Sequence, residues 1–507
     1  MQGRISWATL CAVFLAAVFV AAIWTTIGFP LGTLGDEWAK IDAVRTGNNR
    51  YYHPLLMIEV TQFANLFAGA RDLQAIVEVG RACAAVAGGL LVFATYWLAR
   101  LVLPELGALA ATFATAATPI VTVHARIMKE DIFVAPFLIL GLAALIKLLQ
   151  DPTPLRALLA GVYAGLAGGA KYIGTLFLPF ALAAIWFVPG PRGERRLARM
   201  VTAAGVAILI FVLIELPALR NFAQLRRGIH SEYAHATHGH DVPLPISVTY
   251  GGLHLTESLW PGLGLTLLVL GMLGLAAPFL APPERRMPLA LIAGFTLFWY
   301  AVHELAPLKP YPDVSRYMLP LAPLLAILAT SFFYELFRRR DRRAVIAAVI
   351  VAAAAVPALV TSVRINGGGQ DPRAVVPQIL AATGKRIVMD RHTDYDASRE
   401  FVGESWLRPT AQTADIVVTA NLVYDRFRSY AARKDRVSRP TGSYYRRLNA
   451  LPHLDVSNGR PTLGYFNPVL RIVALDGNIE RLQQISAAIT AAAPEFKVRL
   501  IDRKPKT

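Results

Sequence analysis

The chain is expected to be a polytopic α-helical membrane protein that carries a small α/β domain after its last span, and three observations lead there. Hydrophobic residues fill 55% of its 507 positions and the mean hydropathy is +0.45, more than a soluble chain of this length needs to build a core. The apolar residues gather in runs long enough to cross a bilayer. Past Arg364 those runs stop, a Gly367-Gly368-Gly369 linker follows, and short β-rich stretches begin.

Taken in order, the first apolar run, 5–30, follows a lone Arg4 and is longer than the apolar part of a secretory signal, so it reads as a retained helix. Eleven spans are expected, near 7–30, 80–99, 106–123, 132–149, 155–170, 172–188, 201–217, 262–281, 288–305, 317–336 and 344–363. With the N-terminus in the cytoplasm, the inside connections hold Arg100, Lys147 with Arg156, Arg192 through Arg199, Arg285 with Arg286, and Arg338 through Arg343. All are short and basic, as the positive-inside rule requires. The net charge of +17 therefore orients helices and does not point to nucleic acid. The outside connections are 31–79, 124–131, the turn at Lys171, 218–261, 306–316 and everything after 363. Gly161, Gly165 and Gly169 recur every fourth residue, a spacing that lets helices pack closely in lipid. Cys11 and Cys83 both fall in apolar segments, so neither a disulfide nor a thiolate metal site is indicated.

This divides the chain into a membrane domain, 1–363, and a soluble extracytoplasmic domain, 364–507. In the latter, 385–390, 415–419, 470–476 and 497–502 have strand character, flanked by helical patterns near 372–382 and 477–493. The stretch 424–447 is rich in Arg and Tyr; contact with anionic lipid or a glycan is one reading, and a solvated basic surface is preferred.

The polar residues of the outside connections are the ones that need a reason. The first connection holds Asp36, Glu37, Asp42, His53 and Glu59. A carboxylate in a cleft at the membrane face suits a general base acting on a hydroxyl; equally, Asp36 or Glu37 caps a helix running from about Glu37 to Thr46. The second connection packs Arg126, Lys129, Glu130 and Asp131 into six residues. They either neutralise one another or supply a second carboxylate and phosphate-binding cations. Lys171 stands in an apolar hairpin, where an ammonium must snorkel or meet an anion. The loop 219–252 carries His230, His235, His238, His240 and Asp241, a set that suits zinc but lacks a ligand frame such as HExxH, so a polar loop is preferred. The last outside connection offers His303, Glu304, Lys309, Asp313 and Arg316. Acids on two loops and cations on four meet at one membrane face, which suits transfer of a group from a lipid-linked phosphate.

The order of motifs resembles the GT-C-fold glycosyltransferases, in particular protein O-mannosyltransferases, aminoarabinose lipid A transferases and related enzymes that use lipid carriers. The matching features are Gly35-Asp36-Glu37 after the first span, Tyr52 to Leu55, Glu78-Val-Gly-Arg81, the Arg126 to Asp131 turn, Lys171-Tyr172, and Arg316-Tyr317-Met318-Leu319-Pro320. They span about the first 335 residues. The resemblance implies Asp36 as the catalytic carboxylate and Asp131, with Glu130, as the second acidic position. It implies that Lys171 and Arg316 hold the donor phosphate, with Arg126 and Lys129 as further candidates, and it puts Glu37, Tyr52 and His53 on the acceptor side. His53 departs from the charged residue or Pro that relatives often carry. The implied donor is a polyprenyl-phosphate sugar, attacked with inversion and without a nucleotide-sugar site, which agrees with the lack of a glycine-rich nucleotide loop. The implied setting is the inner (plasma) membrane. The acceptor is lipid A, another envelope glycan or a protein, and membrane lipids surround the chain. The resemblance fixes no cofactor; a divalent cation shared by Asp36, Asp131 and the histidine loop, in the manner of oligosaccharyltransferases, stays open. The competing class is a transporter or flippase for lipid-linked sugars, for which charges along a path and repeat symmetry are expected.

Overall fold

The computed structural model of the chain describes residues 6–31, 35–47, 53–187, 194–238, 252–306, 315–368, 370–390, 393, 414–425 and 438–502. Six described helices are long and apolar enough to cross a membrane: Trp7–Trp24, Leu73–Ala99, Asp131–Leu148, Arg195–Ile214, Pro283–Leu305 and Arg343–Asn366. The pair His254–Leu263 and Leu265–Gly274, bent by 112°, makes a seventh if counted as one broken span. Leu56–Ala68, Glu105–Ala117, Tyr172–Phe187 and Leu321–Leu336 are shorter apolar helices.

The expected span 106–123 is interrupted at Thr118, whose extended backbone (ψ 136°) precedes Pro119, because the proline ring disfavours a helical residue before it. The fourth-residue glycines act as the packing reading requires. A Cβ on Gly161 would come within 2.4 Å of the Ala203 carbonyl oxygen and one on Gly165 within 2.6 Å of that of Ala207, so Pro154–Ala170 and Glu194–Ile214 meet backbone to backbone.

The connection 31–79 is more ordered than its sequence reads. It folds into Gly35–Thr46 and Leu56–Ala68, and the next helix starts at Leu73, with the Asp72 side chain accepting from the Ala75 amide at 2.8 Å. That helix begins a full two turns before the apolar run, since its first turns carry Gln74, Glu78 and Arg81 for polar work. Gln74 accepts from the Leu31 amide (2.8 Å) and donates to the Phe29 carbonyl (3.1 Å). The 218–261 connection also contains a helix, Phe222–His238, followed after the undescribed residues by a π-helical turn, His254–Leu259.

The C-terminal part forms a five-stranded sheet of β1 (Ile387–Met389), β2 (Ile416–Ala420), β3 (His453–Ser457), β4 (Leu470–Ala474) and β5 (Lys497–Ile501), in the order β1-β2-β4-β3-β5. β1 and β2 pair in parallel and the other neighbours antiparallel. β3 alternates polar and apolar residues, but its two apolar members, Leu454 and Val456, are too few to mark a strand by themselves. Pro372–Ala381 and Ile479–Ala492 cover one face through Val376, Leu380, Leu482, Ile485 and Ile489. Ser438–Ala450 covers the other, where Tyr444, Tyr445 and Leu448 pack on Val417 and Val473. The Arg/Tyr-rich stretch is thus partly core, while residues 426–437 lie outside the described ones. The same apolar cluster that fills the first face takes in Val123, Ile127 and Ile365 of the membrane helices and their connection. This seats the sheet domain on the end of the bundle where the acidic loops lie.

Candidate active site

The site is built by one short helix laid against one tight turn. Gly35–Thr46 places Asp36 and Lys40 one turn apart on the same face, and they meet two consecutive residues of the second connection. The Lys129 ammonium donates to Asp36 Oδ2 at 2.7 Å, and Lys40 donates to Glu130 Oε1. Glu37 points elsewhere. Its two oxygens accept from Arg81 Nε at 3.0 Å and Nη2 at 2.6 Å, and Oε1 also accepts from the Met128 amide at 3.1 Å. Arg81 is fully buried, donates to the Ile27 carbonyl at 2.9 Å and lies 3.4 Å over the Phe29 ring. Glu37 therefore ties the two outside connections and the end of the first helix together.

Lys171 breaks the helix Pro154–Ala170 with an extended backbone (φ −156°, ψ 136°). Behind it Gly174 passes so close to the preceding helix that a Cβ would lie 2.2 Å from the Ala167 carbonyl oxygen. The lysine meets its anion: Nζ donates to Asp131 Oδ1 and sits 4.4 Å over the Tyr317 ring. Arg316 also lies over this ring, at 5.1 Å, and reaches to 3.8 Å from Asp36 Oδ2. Trp299 Nε1 donates to the Tyr317 carbonyl at 2.8 Å, fixing that ring's backbone.

The carboxylates differ sharply in exposure. Glu37, Glu130 and Asp131 are buried, whereas the Asp36 side chain is 48% exposed. The Lys129 ammonium, opposed in part by burial and helped by Arg316, holds the Asp36 carboxyl well below the usual carboxylate range. Glu130 is lowered to about 2: burial pushes it up, but His53 and Lys40 beside it outweigh that. Burial lowers the His53 imidazole, and the pull of Glu130 opposes that shift.

Other expected residues go elsewhere. Arg126 donates to Asn366 Oδ1 (2.8 Å) and the Thr26 carbonyl (2.6 Å) and lies over the rings of Phe466 (4.3 Å) and Phe29 (5.0 Å). Its guanidinium bridges the membrane helices and the sheet domain, so the structure gives it a docking position in place of a phosphate-binding one. Glu304 accepts from the amides of Leu253 and His254, both at 3.0 Å. Tyr52, Lys309 and Asp313 lie outside the described residues, as do the side chains of His235, His238, His240 and Asp241. Among the described residues no group of three or more His, Cys, Asp or Glu is placed to hold a metal ion. Three site residues escaped sequence reasoning. Lys40 was legible as the fourth residue after Asp36 on a helix; Tyr317 was quoted in a motif without a role; Tyr465, 5.6 Å from Lys129 Nζ, arrives from the sheet domain and had no local signal.

The family model for dolichyl-phosphate-mannose-protein mannosyltransferase matches residues 63–218. No curated protein sequence matches the chain. Among solved structures, the archaeal oligosaccharyltransferase from Archaeoglobus fulgidus, in complex with an inhibitory peptide and a dolichol-phosphate, superimposes with a TM-score of 0.56 at 12% identity, over 89% of this chain and 73% of that one. ArnT from Cupriavidus metallidurans bound to undecaprenyl phosphate does so with a TM-score of 0.54 at 13% identity, over 92% of this chain and 99% of that one. The chain has the GT-C fold of these membrane proteins, sheet domain included.

Proposed function

We propose that the chain is a glycosyltransferase of the inner (plasma) membrane that moves one sugar from a polyprenyl-phosphate donor to an acceptor hydroxyl on a lipid, envelope glycan or protein, with inversion, outside the cytoplasm. The observation that carries this reading is the arrangement around Asp36: a half-exposed carboxylate with Lys129 and Arg316 on its flanks and Lys171 beyond the shared Tyr317 ring. Two of the matched structures bear a dolichol-phosphate or undecaprenyl phosphate, which supports a lipid-phosphate donor here.

In this reading the donor phosphodiester lies among Lys129, Arg316 and Lys171. The acceptor oxygen forms a bond to the anomeric carbon as the bond from that carbon to the phosphate oxygen breaks. The acceptor proton goes to Asp36, and polyprenyl phosphate leaves with its added charge held by the three cations. Asp36 alone is a weak base, because Lys129 and Arg316 depress it. An anionic donor offsets those cations and raises the carboxyl towards the range where it accepts a proton, so base strength arises only with substrate in place. Glu130 and Asp131, paired with Lys40 and Lys171, position the cations. His53, beside Glu130, stands on the acceptor side.

The test is release of polyprenyl phosphate from radiolabelled polyprenyl-phosphate sugars by the purified chain in lipid, with a panel of acceptors. Turnover that needs both donor and acceptor supports the reading. Donor crossing the bilayer without cleavage would instead make the chain a transporter.

A further inference from the structure

The far end of the bundle from Asp36 holds a second feature. The helix Leu321–Leu336 starts just after Arg316 and runs sixteen residues, about 24 Å at the α-helical rise. Where it ends, a cavity of about 490 Å³ opens, lined by Phe279, Leu280 and the run from Glu335 to Arg340. The two chain segments that meet there, 279–286 and 334–343, carry seven arginines against three acids.

These arginines fall into two groups. Arg285 pairs with Glu335 at 2.9 Å, and Arg285 and Arg343 lie over the Tyr334 ring at 4.8 and 4.3 Å. Those contacts brace the cavity wall. Arg338, Arg339 and Arg340 are exposed and line the cavity; among the described residues none makes an ion pair within 4 Å, and Glu335, in electrostatic reach of Arg338, is paired with Arg285. The rim is apolar: Phe279 is 85% and Leu336 51% exposed. Orienting a helix needs only the number of positive charges. A concave wall that joins three guanidinium groups to uncovered apolar side chains fits a ligand with an anionic head and a hydrocarbon tail.

We propose that this cavity binds the phosphate headgroup of an anionic membrane phospholipid, with Arg338, Arg339 and Arg340 on the phosphate and Phe279 and Leu336 along the first part of the acyl chains. The site is some 24 Å from the transfer chemistry on the helix rise, and the reading stands whether or not the chain proves to be a glycosyltransferase.

The experiment is native mass spectrometry of the full chain in non-ionic detergent, titrated with phosphatidylglycerol or phosphatidylcholine. Phosphatidylglycerol is expected to be retained in preference. The variant R338Q/R339Q/R340Q is expected to lose that retention roughly ten-fold or more, on the scale of the attraction per surface cation. R195Q/R196Q, at another basic connection, keeps it. Phe279→Ser lowers retention without a charge change, and it serves as the test if the triple variant does not fold. Equal retention of both lipids, equal loss in the two arginine variants, or displacement of phosphatidylglycerol by millimolar inorganic phosphate would each overturn the proposal; the last would make the ligand a free phosphate.

Discussion

Replacing Asp36 by Asn keeps the size of the side chain and removes one charge and one proton acceptor. Asp36 is half exposed in the first turn of its helix, where loss of an acid costs about 0.3–1 kcal/mol; the buried Lys129 ammonium also loses its charged partner, so the thermal midpoint of the variant is measured beside its kinetics. Loss of a general base is worth about 10²- to 10⁴-fold in rate. Donor binding moves the other way. Lys129 at 2.7 Å and Arg316 at 3.8 Å lose their internal counter-charge; Lys129 is buried and Arg316 nearly so, and because the Asp36 side of each pair is half exposed the interaction is screened below the ~4 kcal/mol that two charges at 4 Å would feel at an effective dielectric near 20. The donor should therefore bind as tightly as before or tighter. The expected signature is a kcat fallen about 100- to 10,000-fold with an unchanged or lowered KM for the donor, read from polyprenyl phosphate release across donor concentrations. A second readout is pH. Asp36 is depressed in the free protein, so the acid limb of kcat/KM should lie below the usual carboxylate range. With the anionic donor bound the carboxyl rises, so the acid limb of kcat should sit at higher pH. A kcat within ten-fold of the native value, or a loss confined to KM, refutes Asp36 as the base.

Glu37→Gln should act on folding and not on chemistry: it strands the fully buried Arg81 guanidinium, a change worth about 3–5 kcal/mol, visible as a lowered thermal midpoint. The double variant Glu37→Leu with Arg81→Met should recover part of that loss; if it does not, the pair is not acting as a buried ion pair. Lys171→Met removes the partner of Asp131 and a cation facing the donor, and charge-assisted contacts of about 1.5–3 kcal/mol translate into a donor KM raised roughly 10- to 100-fold; an unchanged KM would take Lys171 out of the phosphate site. Glu130, lowered from 4.5 to about 2 in the folded chain, contributes stability that is complete above its unfolded value and is lost as pH falls towards 2. The stability gap between the native chain and Glu130→Gln should thus shrink between pH 4.5 and 2 in denaturation profiles, and a gap independent of pH would refute the pairing with Lys40.

Sequence reading reached the helical membrane architecture and most of the sheet domain because both rest on local patterns: apolar runs, Arg clusters at their ends, and short runs rich in β-branched residues. It singled out Asp36, Lys129, Asp131, Lys171 and Arg316, which the fold brings together, because charged residues stand out beside apolar runs. It did not separate the roles of neighbours. Asp36 and Glu37 are adjacent, and only the placement of Arg81, forty-four residues on, decides that one is locked and the other exposed. Arg126 and Lys129 looked equivalent until Phe466 and Asn366, far along the chain, claimed the first. Strand β3 offers only two apolar residues, and the start of the helix at Leu73 lies outside the apolar run because its first turns carry Gln74, Glu78 and Arg81 for polar contacts.

The charge of the site follows the reaction when its members are counted together. Asp36, Glu37, Glu130 and Asp131 face Lys40, Arg81, Lys129, Lys171 and Arg316, four acids against five cations, leaving aside His53, which burial lowers and Glu130 raises. The surplus of one positive charge matches the single negative charge of a phosphodiester donor. Once Asp36 takes the acceptor proton, the surplus becomes two, which matches a phosphate monoester leaving as a dianion. The site is thereby balanced before and after transfer, and Asp36 is the residue that changes the balance. This makes a prediction about product: Asp36→Asn carries the post-transfer charge permanently, so it should bind polyprenyl phosphate more tightly than the native chain, by roughly ten-fold for a fraction of one screened charge pair. Equilibrium binding of polyprenyl phosphate to the two proteins measures it. Weaker binding by the variant would mean that Asp36 contacts the phosphate through a shared proton or cation, and the base assignment would fall with it.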